Sequence, residues 1–178
     1  ICVTFSKTTG SGCLMLIIAH RGNQKGPSSQ ENQPNYVDQS LNEGFDCEVD
    51  LWVIKNEYFL GHSNAQYKVD LTWLISRQQQ LWIHCKNADA LFALNKNRTP
   101  YLNFFWHQND FYTLTSLGFI WVYPGEQLIK SSVAVLPENW PDSEKTSAQL
   151  SIAFAICTDY ANIFRTQSQQ INSLHEAF

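Results

Sequence analysis

Residues able to move protons, hold a cation and bind an anion recur in order along this chain: His20-Arg21-Gly22, Glu48-Val49-Asp50, Gly61-His62 and His84-Cys85-Lys86. Imidazoles titrate near neutral pH and so suit general acid–base work. Glu48 and Asp50 lie two apart, which on a strand puts both carboxylates on one face. Burying such a pair is costly unless a cation compensates, and a divalent metal is the economical one. Arg21 offers a planar fork and Lys86 a point charge, both suited to a phosphate. The combination describes one metal-assisted site for a small phosphate-bearing substrate. Further along the chain, His107, Tyr123 and Asp159 are candidates for substrate contact. Tyr123 together with Trp106 would form an aromatic wall for a head group.

The elements that must position these residues are short apolar runs that end at each group: Leu14 to Ala19, Phe45 to Val49, Tyr58 to Leu60 and Leu81 to Ile83. Four more follow: Tyr101 to Trp106, Phe119 to Tyr123, Ser132 to Leu136 and Ile152 to Cys157. Between them, Pro34 to Glu43 has helical spacing and is stopped by Gly44. Asp70 is placed to cap a short helix to Gln79, and Ala88 to Leu94 reads as the clearest helix. Eight strands in this order point to a parallel (β/α)8 barrel, whose active site gathers at the C-terminal strand ends. The chain has 178 residues, against about 250 for a typical barrel, so the expected form is compact with a thinned outer helix ring. Residues 1–12 read as a loose lead-in, 13–165 as the barrel and 166–178 as a polar tail.

Composition narrows the function classes. The net charge is -4 with no dense Lys/Arg run, which argues against a nucleic-acid or anionic-membrane surface. No apolar run reaches the roughly 20 residues of a transmembrane helix, and Cys13 to Ala19 is read as a first strand rather than a signal-peptide core. The five cysteines, at 2, 13, 47, 85 and 157, form no CxxC pair. Their odd number without a disulfide framework favours a reducing, cytoplasmic compartment, and Cys47 and Cys85 are expected to point away from the site as buried hydrophobes. There is no P-loop, GxGxxG or GxSxG motif.

His20-Arg21-Gly22, Glu31-Asn32, Gly44 through Asp50 and Gly61-His62 resemble the glycerophosphodiester phosphodiesterase family in order and spacing, with echoes in Leu81 to Lys86 and Ile156 to Tyr160. The resemblance spans about residues 14 to 165. It implies a phospholipase-C-like barrel in which His20 and His62 are acid and base on either side of a scissile phosphate. It also implies that Glu48 and Asp50 hold a divalent metal, Mg²⁺ or Ca²⁺. Attack by a neighbouring substrate hydroxyl would give a cyclic phosphate. The chain departs from the family at His84, where a third acidic ligand is usual. Ligation by His84 would shift preference toward Mn²⁺ or Zn²⁺. Two other readings share these residues: a sphingomyelinase-D-like phospholipid lyase, which should carry an exposed apolar docking loop that the sequence does not make obvious, and a non-catalytic phosphate-binding barrel.

Overall fold

The computed structural model of the chain describes residues 15–97, 101–140 and 147–166. The lead-in 1–12 and the tail from 167 onward lie outside the described residues. Ten strands form one mixed sheet: β1 Leu16–His20, β2 Asp46–Ile54, β3 Glu57–Leu60, β4 Tyr67–Val69, β5 Leu81–Cys85, β6 Asn103–Trp106, β7 Tyr112–Leu114, β8 Ile120–Val122, β9 Ser132–Val135 and β10 Ala155–Thr158. Helices α1 Pro34–Asn42, α2 Leu71–Ser76, α3 Ala88–Asn97 and the short α4 Ser147–Leu150 join some of them. Proline at the start of α1 lacks a donor where none is needed, and the Asp70 carboxylate accepts from Trp73 N at the start of α2.

Parallel ladders run β6-β5-β2-β1-β10-β9-β8. The expected (β/α)8 barrel is therefore not what forms; the sheet is a curled half-barrel with few helices. Two local choices cause this. Tyr58 to Leu60, read as a parallel strand, instead folds back antiparallel on the second half of β2. The turn between them holds Lys55 and Asn56 at φ 51° and 65°, the left-handed pair that a tight hairpin requires. The segment after β6 likewise carries no crossover helix; it supplies β7, which pairs antiparallel with β8. No ladder joins β6 to β7. Ser116 N donates to the Phe104 carbonyl at 2.8 Å and Thr113 Oγ1 to the Trp106 carbonyl at 3.0 Å, so the two ends approach without a shared ladder.

Alternation along the strands separates two faces. On the convex side, Ala19, Cys47, Val49, Leu51, Ile83 and Cys85 pack with Val37, Leu74 and Leu94 from α1, α2 and α3. On the concave side Ile18, Trp82, Phe105, Trp121, Val133 and Cys157 fill the interior. Here Phe105 and Trp121 have centroids 4.5 Å apart and Trp82 and Phe119 5.1 Å apart, tilted contacts that favour ring pairs beyond their buried area. Over β8–β10, Leu128, Trp140 and Leu150 cover the outer face in place of a full helix layer. Because β2 is buried on both faces from Asp46 to Leu51, its polar residues had to be placed on the concave side with partners.

Candidate active site

The concave face ends in a polar cluster at the C-terminal ends of the parallel strands. His20 closes β1, Glu48 and Asp50 stand side by side on β2, and His84 lies opposite Asp50 in the β2–β5 register. Lys86 follows β5, and its amide is held by the Leu51 carbonyl at 2.8 Å. His62 comes from the antiparallel extension. Gly61, at φ 146°, turns the chain back so that its amide bonds the Asp50 carbonyl at 3.1 Å and its own carbonyl accepts from Trp52 Nε1 at 2.6 Å. A Cβ there would meet the Asn64 carbonyl oxygen at 2.2 Å, so only glycine fits.

Asp50, fully buried, is the hub. Its Oδ2 accepts from Asn32 Nδ2 at 3.0 Å and from His62 Nδ1 at 3.1 Å, and lies 3.0 Å from Arg21 Nε. Its Oδ1 lies 3.2 Å from His84 Nδ1 and 3.3 Å from Lys86 Nζ, yet makes no hydrogen bond of good geometry. Burial alone would raise this carboxyl, but the contacts of His62 and His84 and the charges of Arg21 and Lys86 hold it well below the ordinary carboxylate range. Glu48 goes the other way. Burial first, then the neighbouring Asp50 charge, push it above its ordinary value. Its close polar neighbours are the Arg21 amide at 3.3 Å, His20 Nε2 at 3.8 Å and His84 Nδ1 at 3.9 Å. Glu48 is thus the carboxylate short of positive charge.

His84 stacks parallel on Phe105, with centroids 5.2 Å apart, and its Nε2 donates to the His107 carbonyl at 2.8 Å. A carbonyl only accepts, so Nε2 carries a proton, and Nδ1 is the nitrogen that faces the two carboxylates. Ligand atoms of Glu48, Asp50 and His84 come within 4.8 Å of one another. Two buried carboxylates, one oxygen without a hydrogen bond and an imidazole oriented through its far nitrogen fit a single divalent cation, with the carbonyl acting as the outer partner common for ligating histidines.

His20 and His62 flank this cluster. His20 Nδ1 donates to Asp159 Oδ1 at 2.7 Å, leaving Nε2 toward Glu48. Burial lowers the affinity of His20 for its proton, but the Asp159 bond and the Glu48 charge outweigh it, and the pKa stands above the ordinary value. His62 is more open: its Nδ1 bonds Asp50 and its Nε2 accepts from Arg21 Nη2 at 3.4 Å. Arg21 also donates from Nη1 to Glu31 Oε2 at 3.0 Å.

Structure and sequence part company at the margins. Asp159 engages His20, with Oδ1 2.7 Å from Nδ1 of the ring. Trp106 faces the convex core, because alternation gives the concave side to Phe105 and His107, so it forms no wall with Tyr123. His107 does: its ring centroid lies 5.9 Å from that of Tyr123 and 6.2 Å from that of His84. Burial and the proximity of His84 lower its pKa. The β7–β8 hairpin also exposes Phe111 and Leu114, an apolar feature invisible in the linear reading. Three supporting residues escaped the site reading. Asn32 fixes Asp50 at both side chain and amide, Asn23 bridges Glu31 and Asp159, and Glu138 accepts from the Asp159 amide. For Asn32 the Glu31-Asn32 motif was a usable signal; Asn23 sits in a polar loop and Glu138 in the short 3-10 turn Pro137–Asn139, where neither residue type stands out.

No described helix is long and apolar enough to cross a membrane. No family model, no curated protein and no solved structure matches the chain.

Proposed function

We propose that this protein is a metal-dependent phosphoric diester hydrolase acting on a small glycerophosphodiester-like substrate. The observation that carries the reading is the placement of His20 and His62 around one Glu48–Asp50–His84 cluster, with Arg21 and Lys86 in the same cluster. Glu48, Asp50 and His84 would hold the metal. When bound, that ion would polarise a phosphoryl oxygen and lower the pKa of a neighbouring hydroxyl. Arg21 and Lys86 would balance charge on the phosphate. His62, with a lone pair on Nε2 and a more open position, would take the proton of the attacking hydroxyl. His20, whose pKa is raised, would protonate the departing alcohol. The resemblance to glycerophosphodiester phosphodiesterases supports the same division of labour.

The test is turnover of bis(p-nitrophenyl) phosphate and glycerophosphocholine with Mg²⁺, Ca²⁺, Mn²⁺ and Zn²⁺, beside His20→Ala and His62→Ala. The exposed Phe111 and Leu114 justify adding a sphingomyelin vesicle to the panel. Metal-dependent release that falls ~10²-fold or more in either variant is expected. Phosphate binding without turnover under any ion would overturn the enzymatic reading in favour of a non-catalytic phosphate-binding protein.

A further inference from the structure

Asp159 is clamped from four directions. Its amide donates to Glu138 Oε1 at 2.7 Å, and its carbonyl accepts from the Gly26 amide at 2.8 Å. Its Oδ1 accepts from Asn23 Nδ2 at 2.7 Å and from His20 Nδ1 at 2.7 Å. Glu138 is itself fixed through Oε2, which accepts from Thr158 Oγ1 at 3.0 Å. The other hydrogen of Asn23 Nδ2 goes to Glu31 Oε1 at 2.9 Å, and Asn23 Oδ1 accepts from Tyr36 OH at 3.3 Å, so that amide cannot turn over without losing its partners. At Gly26, a Cβ would come within 3.1 Å of the Tyr160 ring, so the absence of a side chain lets the loop backbone lie close to the segment that follows β10.

We infer that Asp159 is a positioning residue that fixes the tautomer and direction of the His20 ring, with Asn23 and Glu138 holding it in place. Asn23 can only donate to Oδ1, and a carboxylate only accepts, so the bond to His20 requires a proton on Nδ1. The nitrogen left to act is Nε2, on the side of Glu48 and the candidate phosphate site. Without Asp159 the imidazole is free to take the other tautomer or to rotate, and the productive nitrogen is presented only part of the time. Asp159 needs no contact with substrate for this role. Arrangements in which a buried carboxylate orients a histidine are known to control rate through tautomer rather than through binding.

The inference depends on the phosphodiesterase reading only for what His20 does, not for how it is held, and the experiment separates the two. In the full chain, the His20 Nδ1 proton should appear as a downfield ¹H resonance that disappears in His20→Gln and Asp159→Asn but persists in His62→Ala. In turnover, Asp159→Asn should lower kcat by ~10²-fold or more, as a lost acid–base contribution does, while KM changes less than ~3-fold, since no uniform substrate binding is removed. If Asp159→Asn does not fold by circular dichroism, Asn23→Ala replaces it and should lower kcat ~10-fold, the size seen when a supporting partner is removed. Retention of the resonance, or of kcat within about twofold, in the folded variant overturns the inference. Should the wild-type protein hydrolyse no diester, the functional reading fails, and the resonance alone decides whether Asp159 holds His20.

Discussion

His84 Nδ1 lies 3.2 Å from Asp50 Oδ1, while the opposite nitrogen of the same ring is tied to a backbone carbonyl. The His107 carbonyl and the Phe105 ring together hold Nδ1 toward Glu48 and Asp50, the direction a metal ligand would need. It follows that His84→Ala should weaken Mn²⁺ or Zn²⁺ binding by ~10-fold or more, at least the loss expected when a supporting residue of a metal site is removed. Replacing the nitrogen by oxygen in His84→Glu should improve Mg²⁺ binding relative to Mn²⁺. Isothermal titration calorimetry reads both; equal affinities in wild type and His84→Ala would remove His84 from the site.

Gly61 sets the position of His62 by a backbone conformation closed to other residues. At φ 146°, and with a carbonyl oxygen 2.2 Å from where a Cβ would sit, alanine can be accommodated only by moving the chain. Gly61→Ala should therefore cost about 1–3 kcal/mol of stability, measured by urea unfolding. It should also lower kcat/KM ~10²-fold through misplacement of His62. A variant as stable and active as the wild type would show that His62 does not depend on this turn.

Much of the site could be read from the chain, because strand alternation is a local rule. Glu48 and Asp50 on one face, Cys47 and Val49 on the other, follow from a period of two, as does the pairing of His84 and Lys86. The closure of the sheet could not be read this way. Whether Tyr58 to Leu60 runs parallel or turns back depends on the conformation of Lys55 and Asn56, and a short apolar run looks the same in both cases. The loss of a helix after β6 is likewise a matter of what the sheet edges find to pair with. Asp159 illustrates the remaining gap: it lies 139 residues from His20 along the chain, so only the meeting of β1 with β10 could join them.

Alternation also fixes the chemistry of the cysteines. Cys47 and Cys85 face the convex core and Cys157 the concave one, all buried and free. Burial raises Cys47 and Cys157 well above the ordinary thiol value and pushes Cys85 up to about 12. A thiol needs both access and its thiolate form to react. Iodoacetamide at neutral pH should therefore modify these three only after denaturation, as peptide mass mapping would show. Rapid native labelling at Cys85 would place that strand face in solvent.

The His20–Asp159 pair gives a stability signature with a definite pH window. Three groups act on the imidazole besides its burial: Asp159 and Glu48 raise its pKa, and Arg21 opposes them. For a raised histidine, the stabilisation is complete below the unfolded value of 6.5 and fades as pH rises through the higher folded value. Asp159 is lowered; its burial is outweighed by His20 and Asn23. Its contribution is therefore complete above the unfolded value of 3.8 and is lost as pH falls through the lower folded one. The two effects overlap between pH 3.8 and 6.5. In chelator-containing buffer, the difference in urea midpoint between wild type and Asp159→Asn should be largest in that interval and shrink on both sides. A difference that stays constant from pH 4 to pH 9 would mean that proton binding by His20 is not coupled to Asp159.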